Sequence, residues 1–441
     1  MDTSKSSAAE LPAGLISAIQ AGNCIAFVGA GFSIPAKLPS WSELLNDLSQ
    51  HVGAGLRKHL KLLLEKKDGG ASLEEAAQAI EDELGQNKLA KRLKARLTTR
   101  ELPLEMAERI RLLQGIPFRA ILTTNFDMLL EGETPSPPAY RKIMRAPRPR
   151  WWDEGFWDQK ACFPPVLKIH GDVRDADTVV FTRRGYRQRL HNDPHFTRFL
   201  SSLFTQHTVL YLGFSFSDAY LNELRSGALS LLGEGGGDSP IAYAIANDIP
   251  PRSCRHLMRH EGIHALSYSS NGHKDFSGFD ALLRDLHEAT NPLLHFGRRL
   301  KGRRLLWLDK APENNALVER FFLQAKREAH LPLGTLQVTH VRSVEKAIAA
   351  LRSEKMKNEQ FDLVISHFGQ ELKGLTVAER LLEAMRHQDL RSPVLIFSKN
   401  DDASERRRRA LALGAHEYCW SFGGLLRAIE RVLGPGVEHE P

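Results

Sequence analysis

The sequence predicts an α/β protein of two parallel sheets in tandem, the first carrying a helical insertion. Three observations predict it. Short apolar, β-branched runs recur along the chain and end in glycine or polar residues, as buried strands do. Helical periodicity dominates residues 41–113. From residue 304 onward, five apolar runs alternate strictly with five amphipathic stretches, which implies a small doubly wound sheet.

Taken in order, residues 1–12 read as a frayed lead-in and 13–21 as a short helix. Cys24 to Val28 is a compact apolar run that passes at once into Gly29-Ala30-Gly31-Phe32-Ser33, a buried strand entering a glycine turn. In 41–113, Leu44, Leu45 and Leu48, then Leu60, Leu62, Leu63 and Leu64, recur at helical spacing, interrupted by Asp68-Gly69-Gly70 and Gly85. About four helices are expected here, one of them capped by Ser72 with Glu75 three residues on. Phe118 to Thr124 is a strand ending in Asn125-Phe126-Asp127, and 134–160 is a loop rich in Pro, Arg and Trp. Val166 to Ile169 ends in His170-Gly171-Asp172, and Thr208 to Leu212 ends in Gly213-Phe214-Ser215. Strands at 241–245 and 263–266, a helix over 279–288 and a basic linker over 298–304 follow. Further strands are expected at 304–308, 335–339, 361–366, 393–398 and 415–419, with helices between them. This sets a first domain at 13–295 and a second at 303–436.

Composition bounds the partners. The 441 residues are 42% hydrophobic, 26% charged and 8% aromatic, which excludes a disordered, collagen-like or coiled-coil chain. With 60 Lys and Arg against 53 Asp and Glu, the net charge of +7 is modest and spread along the chain. It permits contact with nucleotides without arguing for nucleic acid. The Arg/Trp stretch 145–157 invites a nucleic-acid reading, but Asp153 and Glu154 dilute it. A structured loop or subunit contact is the expectation, with no nucleic-acid partner. Cys24, Cys162, Cys254 and Cys419 are too far apart for a thiolate-pair zinc site and suit a reducing compartment. The first fourteen residues lack a charged n-region and apolar h-region, and no run of about 18 apolar residues occurs. The expectation is a cytoplasmic protein without a membrane partner.

In an open α/β sheet, ligands gather at the carboxyl ends of the strands. Four strands here end in G-A-G-F-S (29–33), T-T-N-F-D (123–127), K-I-H-G-D (168–172) and G-F-S-F-S-D (213–218). Each alone is weak: a glycine pair marks a tight turn, a lone histidine is most often structural, and N-x-D is a turn or cap. Together, in this order, they resemble the sirtuin-like NAD-binding family over about residues 13–290, in particular its bacterial NAD-hydrolysing branch of anti-phage defence proteins.

The resemblance implies a Rossmann-like sheet and NAD as substrate. It sets Gly29, Ala30, Gly31 and Ser33 against the diphosphate, and Asn125 and Asp127 in the nicotinamide–ribose pocket. It makes His170 the catalytic histidine beside Asn125, and puts Gly213 and Ser215 on the ribose–phosphate side. Chemistry supports these types. Glycines let a backbone approach a diphosphate and present N–H groups to it. Nicotinamide leaves as a neutral pyridine, so the reaction needs positioning, charge stabilisation on the ribose and an activated oxygen rather than a strong acid. Asn125 can hold a ribose hydroxyl or the water, and a histidine with ordinary pKa near ~6.5 can take the proton. Asp127 can bond the nicotinamide carboxamide. Lys168 is assigned no role.

Sirtuin deacetylases carry two C-x-x-C pairs on a zinc module, and this sequence has neither, so no zinc is expected. After the glycine turn, Ile34-Pro35-Ala36-Lys37-Leu38-Pro39-Ser40-Trp41 departs from the deacetylase pattern and looks like the defence branch.

Residues 303–436 resemble a response-regulator receiver, a flavodoxin-like fold, through Leu305 to Asp309 and Phe361 to Ser366. The position of the phosphorylated Asp holds His367, the acidic pair is reduced to Asp309-Lys310, and no lysine is evident in Tyr418-Cys419-Trp420-Ser421. A degenerate receiver used for contacts or sensing is expected. The resemblances together imply an NAD+ glycohydrolase releasing nicotinamide and ADP-ribose. It would act as a homo-oligomeric abortive-infection effector governed by its C-terminal domain and triggered by a phage-derived or partner protein. Two alternatives stand: an NAD-dependent protein deacylase or ADP-ribosyltransferase, which the missing zinc cysteines oppose, and a non-enzymatic NAD-binding sensor or scaffold, which Asn125 and His170 oppose.

Overall fold

Apolar runs too short for helices, each closed by glycine or a polar residue, form the strands of two sheets. The computed structural model describes residues 11–65, 71–98, 101–130, 164–214, 240–270, 275–332, 334–357, 359–369, 375–398 and 404–434. The chain divides into two compact units, the first ending at Thr290 and the second taking up at Asn291.

The first unit holds β1 (Cys24–Val28), β2 (Ala120–Thr123), β3 (Val166–Lys168), β4 (Thr208–Leu212), β5 (Ala242–Asn247) and β6 (Ile263–Tyr268). Their order is β3-β2-β1-β4-β5-β6, every pair parallel. The chain thus steps outward one way from β1 and then returns to step the other way from β4. Connections diverge where the order reverses and open a crevice at the carboxyl ends of β1 and β4.

Alternation along β1 feeds two cores. Cys24, Ala26 and Val28 pack with Leu15, Ile19, Met106, Leu113, Leu283 and Leu286, from helices Ala13–Gln20, Leu104–Gly115 and Ser277–Thr290. Ile25 and Phe27 face Phe196, Phe199 and Leu203 of helix Pro194–Gln206.

Between β1 and β2 run a 3-10 turn (Ala30–Ala36) and five helices, Trp41–Ser49, Ala54–Leu64, Ala71–Leu84, Gln86–Leu97 and Leu104–Gly115. The first four close a core of their own around Leu45, Leu60, Ile80, Leu89 and Leu93. That core also takes in Phe126, Val173, Val179 and Phe181 from the loops after β2 and β3. The insertion therefore braces the carboxyl edge of the sheet. Its capping box lies at Ser40 and Glu43, where Ser40 N–H donates to Glu43 Oε2 at 2.7 Å. Ser72 is no cap, because its helix already begins at Ala71.

The second unit holds β7 (Arg304–Leu308), β8 (Gln337–Val341), β9 (Leu363–His367), β10 (Val394–Phe397) and β11 (Glu417–Cys419), ordered β11-β10-β9-β7-β8. This is the flavodoxin-like 2-1-3-4-5 arrangement. Helices Ala316–Glu328, Val344–Met356, Val377–His387, Ser404–Ala412 and Phe422–Leu433 alternate with the strands.

The basic stretch 298–304 is not a linker. Helix Pro292–Leu300 buries Leu293, Phe296 and Leu300 in the core of the second unit. A Cβ on its Gly297 would meet Ala325 O at 2.2 Å, so helices Pro292–Leu300 and Ala316–Glu328 approach backbone to backbone. Arg298 and Arg299 sit at its carboxyl end, where cations favour the helix dipole. Arg303 Nη1 donates to Asp362 Oδ1 at 2.8 Å. The cations are structural fastenings, which moves the division of the chain to 290/291 rather than past 295.

Candidate active site

The register places the crevice residues in one row. Val28 lies beside both Thr123 and Leu212, and Thr123 lies beside Lys168. Two residues past that row stand Ala30, Asn125, His170 and Phe214.

Thr123 sets the exit of β2. Its hydroxyl donates to Val28 O at 2.9 Å and accepts from Asn125 N–H at 3.0 Å. Asn125 then turns back over β1, its Nδ2 donating to Gly29 O at 3.1 Å and to Ser33 Oγ at 3.2 Å. Ser33 Oγ passes its own hydrogen to Asp127 Oδ2 at 2.9 Å. Asn125, Ser33 and Asp127 are all buried. A carbonyl can only accept, so Gly29 O fixes which end of the amide faces it. The other end, Asn125 Oδ1, is buried and has no hydrogen-bond partner among the described residues. An unmet buried acceptor costs about 1–3 kcal/mol.

Asp127 is engaged on both oxygens, since Leu129 N–H donates to Oδ1 at 3.2 Å. Burial holds its carboxyl above the usual range, against the lowering effect of Ser33. Each of the two oxygens keeps a second lone pair, so the carboxamide contact expected of Asp127 is compatible with both bonds. Lys168, given no role from sequence, donates its ammonium to Phe126 O at 3.1 Å and to Asp127 O at 2.5 Å. It clamps the Asn-Phe-Asp turn from β3.

His170 is half-buried just beyond β3, its ring centroid 6.1 Å from that of Phe126. Phe126 in turn lies 6.2 Å from Phe181. The loop after His170 turns at Gly171 (φ 86°), where a Cβ would stand 1.8 Å from Thr178 O. Arg174 and Asp172 pair in that loop. Burial would raise Asp172, but the Arg174 hydrogen bonds outweigh it and hold the carboxyl below its usual value.

The glycines also shape the crevice itself. Gly29 N–H donates to Leu212 O and Gly31 N–H to Gly213 O, both at 2.9 Å. A Cβ on Gly29 or Gly31 would meet Gly213 O at 2.6 or 2.8 Å. Gly213 (φ 61°) lies so close that a Cβ there would be 2.3 Å from Phe32 N. Three glycines let β1 and β4 close on each other at the crevice, and two of the N–H groups expected to face a diphosphate are engaged by β4. Ala30 is the exposed residue of the turn.

Arg109 is a residue that sequence reasoning missed. It is 2% exposed, donates to Phe32 O at 2.9 Å and makes a bidentate pair with Asp280 at 2.6 and 2.9 Å. Its guanidinium lies over Phe279 at 4.8 Å. It ties the glycine turn to helix Ser277–Thr290.

Gly29, Gly31, Ser33, Asn125, Asp127 and Gly213 are thus joined by direct contacts, and His170 reaches them through Phe126. Ser215, Cys162 and the 145–157 stretch lie outside the described residues. Among the described residues no group of three or more His, Cys, Asp or Glu is placed to hold a metal. Cys24 is a core thiol whose pKa burial pushes up, and burial raises Cys419 to about 12. No described helix is long and apolar enough to cross a membrane.

At the second sheet's carboxyl edge, Asp309 and His367 are both engaged. Asp309 accepts from Ala311 N–H and Asn315 Nδ2, each at 2.9 Å. His367 Nδ1 lies 3.0 Å from Leu308 O, and because that oxygen only accepts, Nδ1 carries the hydrogen.

Residues 119–266 match the SIR2-like domain family. The NAD(+) hydrolase ThsA of Enterococcus faecium is 29% identical over 221 residues, 47% of this chain and 40% of that protein. That of Acinetobacter baumannii (strain 532279) is 28% identical over 215 residues, covering 48% and 40%. That of Cytobacillus dafuensis is 24% identical over 261 residues, covering 58% and 47%. The matches span less than half the length of these relatives. A mutant receiver domain of the histidine kinase CKI1 from Arabidopsis thaliana matches at 18% identity and a TM-score of 0.26, over 32% of this chain and 95% of its own. The SIR2-like match over residues 119–266 takes in β2 to β5 and the strand ends that line this crevice.

Proposed function

We propose that the first unit hydrolyses NAD+ to nicotinamide and ADP-ribose. The observation that carries this reading is the buried, donorless Oδ1 of Asn125 at the switch point of the sheet. It is an acceptor held rigidly by its own amide nitrogen, and a ribose hydroxyl or a water supplies the missing hydrogen. The names of the curated relatives support the same substrate.

In this reading, Asn125 orients the hydroxyl or water while Ser33 and Asp127 hold the amide still. The bond from ribose C1′ to nicotinamide breaks, and its electrons neutralise the pyridinium. Water adds to C1′ and its proton passes to His170, so NAD+ and water give nicotinamide, ADP-ribose and one proton. Positioning and general-base help each account for about 10²–10⁴-fold. We assign the protein a role as a cytoplasmic anti-phage effector, a homo-oligomer governed through its second unit and set off by a phage-derived or partner protein.

The test incubates the full chain with NAD+ and assays free nicotinamide. Asn125→Ala and His170→Ala are each expected to lower release about 10²–10⁴-fold, and Asn125→Ala also to cost about 1–3 kcal/mol of stability by leaving Gly29 O without its amide. The double variant is expected to be little worse, because groups acting as a unit are not additive. Near-wild-type release by both single variants would overturn the assignment. Release that requires an acylated peptide would replace hydrolysis by deacylation.

A further inference from the structure

The modest net charge hides one concentrated surface. Helix Pro251–Glu261, between β5 and β6, buries no residue fully. At about 100° per residue, Arg252, Arg255, His256, Arg259 and His260 fall within an arc of about 140°. All five are exposed, whereas Cys254, Leu257, Met258 and Glu261 on the opposite side are half-buried. Leu257 packs against the sheet core that also holds Phe196 and Phe199. Helix Pro194–Gln206, packed on the same core, adds exposed His195 and Arg198 and carries no carboxylate.

Surface helices ordinarily interleave the two signs of charge or pair them one turn apart. Here no ion pair joins Arg252, Arg255 or Arg259 to a carboxylate among the described residues. The stripe is about 12 Å long, and its strong cations are all arginine. Arginine presents a planar fork that matches phosphate oxygens.

Two other occupants fit less well. His256 and His260 stack one turn apart, centroids 4.6 Å, a spacing that can chelate a divalent metal. Three adjacent guanidinium charges oppose a dication there. A membrane surface needs an apolar face turned outward, and the apolar residues of this helix turn toward the sheet.

We propose that this helix layer binds the phosphodiester backbone of nucleic acid, without base recognition, through Arg252, Arg255 and Arg259. Binding of this kind releases counterions, and its affinity falls with salt at a slope of about 0.9 per phosphate contacted. Three contacts lower the affinity roughly 40-fold between about 50 and 200 mM salt.

The experiment measures fluorescence anisotropy of a short labelled DNA duplex with the full chain across that salt range. Wild type is expected to bind. The Arg252→Ala/Arg255→Ala/Arg259→Ala variant is expected to lose about 2.7 from the slope. The corresponding triple lysine variant is expected to keep most of it. Unfolding temperature should not change, since the three side chains hold nothing else. The proposal is overturned if the wild type fails to bind at about 50 mM salt, or if the triple alanine variant keeps its slope. It is also overturned if polyglutamate or anionic vesicles bind with the same dependence on the three arginines, which would make the partner an acidic protein or a lipid surface.

Discussion

Both units end parallel strands in polar residues, yet the two edges differ in what they leave unmet. At the second edge, Asp309 takes the hydrogens of Ala311 and Asn315, and His367 gives its own to Leu308. At the first, Asn125, Ser33 and Asp127 pass hydrogens along a chain that ends with one acceptor unpaired. A doubly wound sheet offers the same place for a ligand in either case. Among the described residues, the unmet hydrogen bond at Asn125, rather than the fold or the presence of a histidine, sets the first edge apart.

The comparison can be broken most severely at glycine. Gly171→Ala must displace Thr178 and with it His170, and nicotinamide release is expected to fall about 100-fold or more. Gly302 in the second unit also has a positive φ, 74°, but nothing within 4 Å of its Cβ position. Gly302→Ala is expected to cost about 1–2 kcal/mol and leave release unchanged. Equal losses in the two variants would mean that the loop after β3 is not a positioning element.

Lys168→Ala comes next. The clamp on the Asn-Phe-Asp turn predicts roughly a ten-fold loss of release and about 1.5 kcal/mol of stability, read by assay and urea unfolding. Full activity would restore the view that Lys168 is incidental.

A gentler effect tests the burial of Asp127. Burial holds its folded pKa above the usual carboxylate value, so the folded state holds the proton more tightly than the unfolded chain. That contribution is complete below the unfolded pKa and is lost as pH rises through the folded one. Asp127→Asn cannot ionise, so its stability relative to wild type should rise across that window in thermal unfolding. A flat difference would show that Asp127 ionises as it does in water.

The smallest expected effect is none. Acetyl phosphate with Mg²⁺ should leave no acid-labile phosphate on the second unit, where β9 ends in His367 and Asp309 is engaged. Stoichiometric label would overturn this expectation.

The strand ends were legible because composition changes abruptly there, from apolar runs to G-A-G, N-F-D, H-G-D and G-F-S. What joins those ends was not legible. Ser33 meets Asn125 and Asp127 across 92 and 94 residues, a distance that no local pattern spans. Arg109 sits in an amphipathic helix where arginine ordinarily faces water, and only the closing of Phe32, Phe279 and Asp280 around it makes it core. The glycines stood out by composition, but the close approach of β4 to β1 that they admit was not legible. Ser40 and Ser72 each precede a Glu by three residues, and only the observed helix start tells the cap from the interior position. The stretch 298–304 looked like a linker because arginines read as solvated until their carboxylates are located.

The anchoring of the glycine turn has a consequence for how the chain is made. The turn itself emerges early in synthesis, but Arg109 can grip Phe32 firmly only when Asp280, 171 residues further on, arrives to balance its charge. A buried guanidinium without its carboxylate is strongly disfavoured. A nascent or truncated chain that stops short of helix Ser277–Thr290 therefore carries every crevice residue in an unfinished setting. The last helix of the unit acts as its proof of completion, and a polypeptide released early by the ribosome would hold the parts of the crevice without its shape.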